Sequence, residues 1–327
     1  MLRYFIMRLL QLIPKLLVIS IVIFVGLELL PGDPISRTVS PDVYGKLTPV
    51  QLEQLRESLG LNAPATLRYF RWLGGILTGD FGYSQVTGSS IGTMLAARLP
   101  ATLALAGMGL LIANVMGLLL GYVSAVKHNT PFDYANTVFG MLGISIPEFL
   151  IGISAILIFS LGLGWFPVGG RLEYGREGFF DRLHYIILPA LCLGVFYIAT
   201  LMRYTRGSML DVLNKEYIKT ARSKGLSPME VNLKHGLRNA IIPVLIVLIF
   251  RIPMLVAGTV VIERVFNYTG MGNLLLTAIS GKDMPIVMIT TMIITTVILA
   301  SSFLVDIATA LLDPRIRMGA EGKGGAG

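Results

Sequence analysis

The segment RYTRGSMLDVLNKEYIKTARSKGLSPMEVNLKHGLRNAIIP, residues 203–243, is the most polar part of the second half of this 327-residue chain. It lies between two long apolar runs, and as far as Arg238 it carries eight Lys/Arg against three Asp/Glu. We call residues 203–238 the basic loop. A positively charged loop between two apolar runs is typical of a protein that crosses a membrane several times, because cytoplasmic loops collect Lys and Arg.

The first half of the basic loop predicts a helix that ends at a glycine. Good helix formers fill residues 211–224, and Leu213, Tyr217 and Ala221 are four apart, on one face of such a helix. Gly225 follows at a position where the backbone can become left-handed.

The second half of the loop predicts another short helix. Ser227 is suited to cap it, Pro228 to occupy its first position and Glu230 to complete a capping box, and Gly236 is predicted to end it. Two interpretations of the helix pair remain open from the residues alone. It is either a plug for a socket on another protein or a solvated loop on the positive side of a membrane.

The same stretch resembles a known motif. EYIKTARSKGLSP, residues 216–228, places Gly225 nine residues after Glu216, with Ile242-Pro243 further on. It is similar to the EAA coupling loop of ABC-importer permeases. The most similar group moves dipeptides, oligopeptides and nickel, and within that group the chain most resembles the B-type subunit of the peptide permeases. Further motifs of that group run in order along almost the whole chain: LLPGDP (29–34), LGLNAPATLRYFRWLGGILTGDFGYS (59–84), RLPATLALA (98–106), ILPALCLG (187–194), RYTRGSMLDVL (203–213) and LLDPRIR (311–317).

The resemblance implies a transmembrane subunit of an importer for dipeptides or oligopeptides, with nickel or a nickel chelate as the alternative substrate. It implies a second, homologous permease subunit, two ABC ATPase subunits that bind ATP and Mg, and an extracytoplasmic substrate-binding protein. It also implies that part of the basic loop couples to an ATPase subunit. The residues so assigned are Leu213, Glu216, Tyr217, Thr220, Ala221, Lys224, Gly225, Leu226, Ser227 and Pro228.

Composition independently indicates an all-α polytopic membrane protein. Hydrophobic residues make up 54% of the chain, charged residues only 14%, and the mean hydropathy is +0.72. The net charge of +8 is explained by membrane orientation and is not taken as a sign of nucleic-acid binding. The single cysteine, Cys192, lies in an apolar run and excludes an intramolecular disulfide.

Apolar segments of about 20 residues or more predict six membrane spans. These segments lie near residues 16–30, 100–126, 135–163, 185–203, 240–262 and 285–311. The chain is accordingly predicted to consist of an N-terminal segment with the first span (1–30), an extracytoplasmic helical subdomain (31–99), a permease core (100–312) that contains the basic loop, and a cytoplasmic tail (313–327).

The subdomain at 31–99 is predicted to contain two helices and a turn. Thr48 starts the first helix, the second runs from about Ala65 to Leu77, and GDFGYS (79–84) forms the turn. Its surface either packs on the outer mouth of the permease or docks a binding protein.

Within the second span, Gly117 and Gly121 predict a close helix contact.

The distribution of Lys and Arg predicts that both termini are cytoplasmic. With that orientation the cytoplasmic segments carry fifteen Lys/Arg and the outer segments eleven, and the basic loop decides the balance. The location implied by the resemblance is the bacterial cytoplasmic membrane.

Several kinds of chemistry have no sequence signal in this chain. There is no GxxxxGK[ST] phosphate loop, so ATP hydrolysis is expected on separate subunits. His128, His184 and His235 are far apart, and no metal site or cofactor is predicted. A stand-alone channel would not need the basic loop, and a membrane enzyme would need a catalytic cluster that the sequence does not contain.

Two ionisable residues deep in predicted spans suggest a translocation path. Glu148 follows Pro147 in the third span, and Arg251 precedes Pro253 in the fifth. Charges at that depth usually face a cavity or a partner, and prolines free backbone groups that can line a cavity. Either the two residues meet the charged ends of a peptide, or they pair with each other and hold two spans together.

Overall fold

A computed structural model of the chain describes residues 2–31, 35, 44–58, 60–171 and 178–312. These residues contain no β-strand, which confirms the predicted all-α class. The end of the LLPGDP motif and the predicted tail at 313–327 lie outside them. In chain order the helices are α1 (Leu2–Leu10), α2 (Leu12–Glu28), α3 (Pro49–Ser58), α4 (Ala65–Thr78), α5 (Ile91–Val126), α6 (Pro131–Ser145), α7 (Glu148–Ala155), α8 (Phe179–Leu213), α9 (Glu216–Ser223), α10 (Pro228–Glu230), α11 (Arg238–Ile249), α12 (Ile252–Val265), α13 (Met271–Ser280) and α14 (Met284–Leu312).

The described residues include five helices that are long and apolar enough to cross a membrane, or six if one bent pair counts as a single span. The bent pair is α6 and α7, with the π-helical segment Ile156–Gly162 that continues α7, and it turns through 109°. The span predicted over 135–163 is therefore present only as this bent pair. Pro147 lacks an N–H and forces Ile146 out of the helical region, to φ −87° and ψ 127°, so α6 ends at Ser145.

The fifth predicted span, 240–262, is also interrupted. Its helix begins much earlier, at Pro228, and α11 ends at Ile249. The chain turns at Phe250 and Arg251 before α12 begins with Pro253 in its first turn, where the missing N–H costs nothing.

One compact unit of the fold is formed by residues 1–102 and 269–300. It contains the two predicted helices of the 31–99 region, as α3 and α4. Thr48 and Gln51 cap α3 reciprocally, and Gly79 and Gly82 have φ of 81° and 71°, as the predicted turn requires. The core of this unit lies where α4 meets the start of α5, α13 and the start of α14, around Ile91, Leu95, Met271, Leu274, Ala278, Ile286 and Ile289.

The turn after α4 is fixed in the same unit by a buried acid. The carboxylate of Asp283 accepts a hydrogen bond from the Ser84 hydroxyl at 2.5 Å and from the backbone N–H groups of Gln85 and Val86 at 3.3 Å. The 79–90 region is consequently tied to the start of α14.

The second compact unit is formed by residues 103–268 together with those from 301 onward. Helix α8 is its central element, and two thirds of the most apolar 18-residue stretch of this helix is buried. A Cβ atom at Gly117 would lie 2.8 Å from the Cβ of Leu201, and one at Gly121 would lie 2.6 Å from the Cβ of Thr205. The predicted close helix contact is therefore confirmed, between α5 and α8.

Candidate functional site

The basic loop contains two short helices, but their boundaries differ from the sequence expectation. The predicted helix over 211–224 is broken: α8 ends at Leu213, and α9 begins at Glu216. Lys215 has an extended backbone, with φ −75° and ψ 150°, and it separates the two. The chain therefore leaves α8 through a turn before it enters the first helix of the EAA-like stretch.

The face of α9 that packs inward matches the predicted one only in part, because Ala221 belongs to it and Leu213 packs against it, whereas Tyr217 does not belong to it. Tyr217 is 45% exposed, whereas Ile218 is fully buried, together with Ala221 and Val231. Leu213 and Leu226 pack against this cluster from the sides. It fixes α9 to the end of α8 and to the segment that follows α10, so that the loop has a small core of its own.

The turn between the two helices confirms the prediction for Gly225 and Ser227. Gly225 has φ 79°, in the left-handed region, and no atom lies within 4 Å of where a Cβ would be. The Ser227 hydroxyl accepts a hydrogen bond from the backbone N–H of Glu230 at 3.3 Å, and Pro228 occupies the first position of α10. The two helices are thus set in place by local chemistry.

Gly236 does not end the second helix, contrary to expectation. It lies inside the π-helical segment Val231–Leu237, which runs directly into α11. A Cβ atom at Gly236 would lie 3.3 Å from side-chain atoms of Leu213 and Met209. The glycine is therefore explained by the close approach of this segment to α8.

The ten residues assigned to coupling separate into a buried and an exposed group. Leu213, Ala221 and Leu226 contribute to the small core and so shape the surface from beneath. Met229, which the sequence did not single out, is 70% exposed next to them. The other seven face solvent: Glu216, Tyr217, Thr220, Lys224, Gly225, Ser227 and Pro228. Together with Met229 they form what we call the docking face.

The docking face carries one acid, Glu216, and one base, Lys224, and the acid is already paired with a neighbour outside the face. The Glu216 carboxylate lies 2.7 Å from the ammonium of Lys219, one turn further along α9, and both side chains are largely exposed. A pair in water with these exposures contributes little to stability, so the surface remains available for contacts.

The base of the basic loop is held by a buried carboxylate, which the sequence gave no reason to single out. Asp133, in the first turn of α6, is 1% exposed. Arg206, in α8, binds it with both ends of its guanidinium, Nε to Oδ1 at 2.6 Å and Nη2 to Oδ2 at 2.8 Å. The Ser124 hydroxyl and the backbone N–H of Asn129 also donate to it. This arrangement ties the connection between α5 and α6 to the helix that leads into the loop.

A second contact ties α8 to the helix that leaves the loop. The Ser208 hydroxyl donates to the backbone carbonyl of Ala240 at 2.9 Å, next to a core formed by Met209, Ala240 and Ala125. The entry and exit of the basic loop are thus joined to each other and to α5.

The two predicted path residues are in the same unit but do not pair. Glu148 begins α7, where the positive end of the helix dipole favours a carboxylate. Its oxygens lie 3.6 and 3.8 Å from where a Cβ at Gly258 would be. Arg251 instead donates to the carbonyl of Tyr197 at 3.3 Å and lies 5.9 Å from the ring centre of Tyr204.

Among the residues that the structure describes, Glu148 and Arg251 form no ion pair with each other. In this arrangement they do not hold two spans together, contrary to one of the two interpretations from the sequence. Arg251 contacts Tyr197 of α8, and Glu148 lies near Gly258, where a Cβ would also come within 3.3 Å of Leu193 of α8, so both residues border the same stretch of that helix. Both side chains are only partly buried.

Comparison with known families gives matches along nearly the whole chain. The family model described as "Binding-protein-dependent transport system inner membrane component" matches residues 117–318. A second model, described as "Binding-prot-dependent transport system membrane comp, N-term", matches residues 1–106.

Individual relatives match over almost their full length. A putative peptide permease protein of Brucella suis is 41% identical over 97% of this chain and 100% of its own. The oligopeptide transport system permease protein AppB of Bacillus subtilis is 40% identical, over 97% and 99%. The glutathione transport system permease protein GsiC of Escherichia coli K12 is 35% identical, over 97% and 99%.

The fold is also similar to a solved structure. The crystal structure of an amino acid ABC transporter with histidines aligns with a TM-score of 0.51 at 13% identity, over 66% of this chain and 92% of that one. At this identity the likeness shows the fold alone.

The family models and the full-length relatives confirm the resemblance found in the EAA-like stretch. The relatives are named permease proteins, and the family is a membrane component of transport systems, so the chain is a permease subunit and not an enzyme. The chain belongs to the family of binding-protein-dependent transport system inner membrane components, the membrane-spanning permeases of ABC importers.

Proposed function

We propose that this chain is one transmembrane subunit of an importer that moves dipeptides or oligopeptides across the bacterial cytoplasmic membrane. The observation that carries the proposal is the similarity over 97% of the chain to proteins named peptide and oligopeptide permeases. Nickel or a nickel chelate is the alternative substrate that the motifs allow.

The proposed complex contains a second permease, two ATPase subunits that bind ATP and Mg, and an extracytoplasmic binding protein. The docking face contacts one ATPase subunit. When ATP closes the ATPase subunits, the loop moves with them as a body, because Ile218 and Val231 fix α9 to the end of α8. The motion reaches the spans through the contact between Arg206 and Asp133. The spans then switch between an inward-open and an outward-open arrangement.

The substrate is tested with the complex reconstituted in liposomes. Radiolabelled dipeptide and oligopeptide should accumulate when ATP is supplied, and radioactive nickel should not. Accumulation of nickel without that of either peptide would overturn the substrate class while leaving the family intact.

Glu148 and Arg251 are proposed to line the path and to meet the ammonium and the carboxylate of a peptide in transit. Glu148→Gln and Arg251→Gln should then each lower peptide uptake about tenfold, the effect of losing a charge-assisted contact of about 1.4 kcal/mol or more. Assembly should be unchanged, because both side chains are partly exposed. A variant with the two charges exchanged that transports normally would contradict direct contact of these side chains with the charged ends of the peptide.

The proposed topology has six spans, with both termini cytoplasmic and residues 31–99 outside. A Cys192→Ser background removes the buried native thiol. In it, Ser58→Cys and Ser223→Cys, both at exposed positions, should react with a membrane-impermeant maleimide from opposite sides. Reaction of both from the same side would contradict this topology.

A further inference from the structure

Helix α4 has two apolar faces, and only one of them is used for packing within its unit. Tyr69, Trp72 and Ile76 turn inward, onto α2 and the core near α13. On the other side, Phe70 is 66% and Leu77 is 79% exposed. Leu67, at 43%, continues this side, which we call the outer face of α4. A Phe and two Leu at helical spacing therefore form an exposed apolar stripe.

The contacts of α4 determine its level along a membrane-spanning helix. The Tyr69 hydroxyl lies 2.8 Å from the hydroxyl of Ser20 in α2, and the Tyr69 ring meets that of Phe24 edge-on with centroids 5.4 Å apart. Ser20 precedes the last residue of α2, Glu28, by eight positions, which is about 12 Å along the helix axis. Since the hydrocarbon layer is about 30 Å thick, Tyr69 reaches well inside the membrane boundary.

Helix α2, on which α4 packs, also has an exposed apolar surface. On α2, Leu17, Ile21 and Val25 recur every four residues, and each is more than 40% exposed. Such a stripe on a span faces lipid or another apolar span. The ring of Phe70 lies 5.3 Å from that of Tyr69, so the outer face begins at the level of this stripe.

The polar edge of α4 suits the boundary between lipid and water. Arg68 is one residue before Tyr69 and forms an ion pair with Glu28 at the end of α2. Arg71, one turn after Arg68, is exposed. A helix with an apolar face and a basic edge lies in the plane of the interface, where long Arg side chains reach the headgroups.

We propose that α4 is an interfacial membrane helix, with Leu67, Phe70 and Leu77 inserted in the acyl chains of the leaflet at the Glu28 end of α2. The 31–99 region is then not wholly extramembrane. A water-soluble binding protein cannot reach the outer face at this depth, so its docking surface lies elsewhere. The proposal rests on membrane insertion of α2 and does not depend on the substrate.

The proposal is tested by spin labelling of the assembled complex in phosphatidylcholine liposomes. Single cysteines Phe70→Cys and Leu77→Cys are introduced in the Cys192→Ser background and labelled with a nitroxide. Collisions with oxygen, which concentrates in lipid, should exceed collisions with a water-soluble nickel chelate at both sites. Ser58→Cys, at an exposed site on the neighbouring helix α3, is the matched control and should show the inverse ratio.

Three results would overturn the proposal. If the ratio of oxygen to nickel-chelate collisions at both Phe70→Cys and Leu77→Cys equals that at Ser58→Cys, the outer face lies in water. If adding the binding protein protects these sites from the nickel chelate, the outer face is a docking surface. Low collision rates with both reagents would instead indicate burial against another subunit. Leu67→Cys supplies a third position if one variant does not assemble.

Discussion

Replacement of Gly225 by valine should lower substrate-stimulated ATP hydrolysis by the assembled complex about tenfold. Gly225 has φ 79°, and a β-branched residue forced into that region costs about 1–3 kcal/mol of backbone strain. Nothing lies within 4 Å of the site of a new Cβ, so the strain is conformational and not a clash. Its relief rotates α10 relative to α9 and misplaces half of the docking face.

The matched control for this glycine is Gly225→Asn. Asparagine tolerates the left-handed conformation, so this variant adds a side chain of similar size with much less strain. It should retain most of the activity. Equal loss in both variants would mean that the open surface at residue 225, and not its conformation, is what the ATPase subunit requires.

Glu216→Lys tests the docking face itself without disturbing the loop. Glu216 is exposed, and within the described residues it forms an ion pair with Lys219. The substitution reverses a surface charge on α9 and adds like-charge repulsion, which weakens a charged interface more than the fold. Glu216→Gln, which removes the charge alone, should have a smaller effect. Full ATP hydrolysis and normal assembly in both Glu216→Lys and Gly225→Val would contradict the assignment of the basic loop as the ATPase dock.

The parts of the fold that the sequence predicted correctly are those encoded by neighbouring residues. The Ser227 and Thr48 caps depend on side chains three positions from the backbone groups they serve. The left-handed conformation of Gly225 depends on that residue alone, since it has no Cβ. Length and apolarity predicted the membrane-spanning helices for the same reason. Pro147 also acts on its immediate neighbour, although the sequence did not show that the resulting bend would reach 109°.

The parts that the sequence missed depend on contacts between distant segments. The choice of Ile218 over Tyr217 as the buried residue of α9 is set by Val231 across the turn. Gly236 suggested a helix end, but it lies within a continuous helix, where a Cβ would come within 3.3 Å of the side-chain ends of Met209 and Leu213. The contact between Asp133 and Arg206 joins residues 73 positions apart, so no local sequence pattern predicts it.

Arg206→Gln should destabilise the permease more than any other substitution considered for this chain. It leaves the Asp133 carboxylate buried without its main partner, and breaking a buried pair in this way typically costs about 3–5 kcal/mol. Because Arg206 is 28% exposed, water screens part of the interaction, and we expect a loss near the lower end, about 3 kcal/mol. The midpoint of thermal unfolding of the purified complex, followed by size-exclusion chromatography, reports the effect.

Two further variants separate the pair from its surroundings. Arg203→Gln removes an exposed guanidinium from the same helix and should leave the midpoint within error of the wild type. Asp133→Asn combined with Arg206→Gln removes both charges and should be more stable than Arg206→Gln alone, because no carboxylate is then left buried and unpaired. If the double variant is no more stable than Arg206→Gln, the loss comes from packing of the arginine side chain against α5 and α6, and Asp133 is not what holds the base of the basic loop.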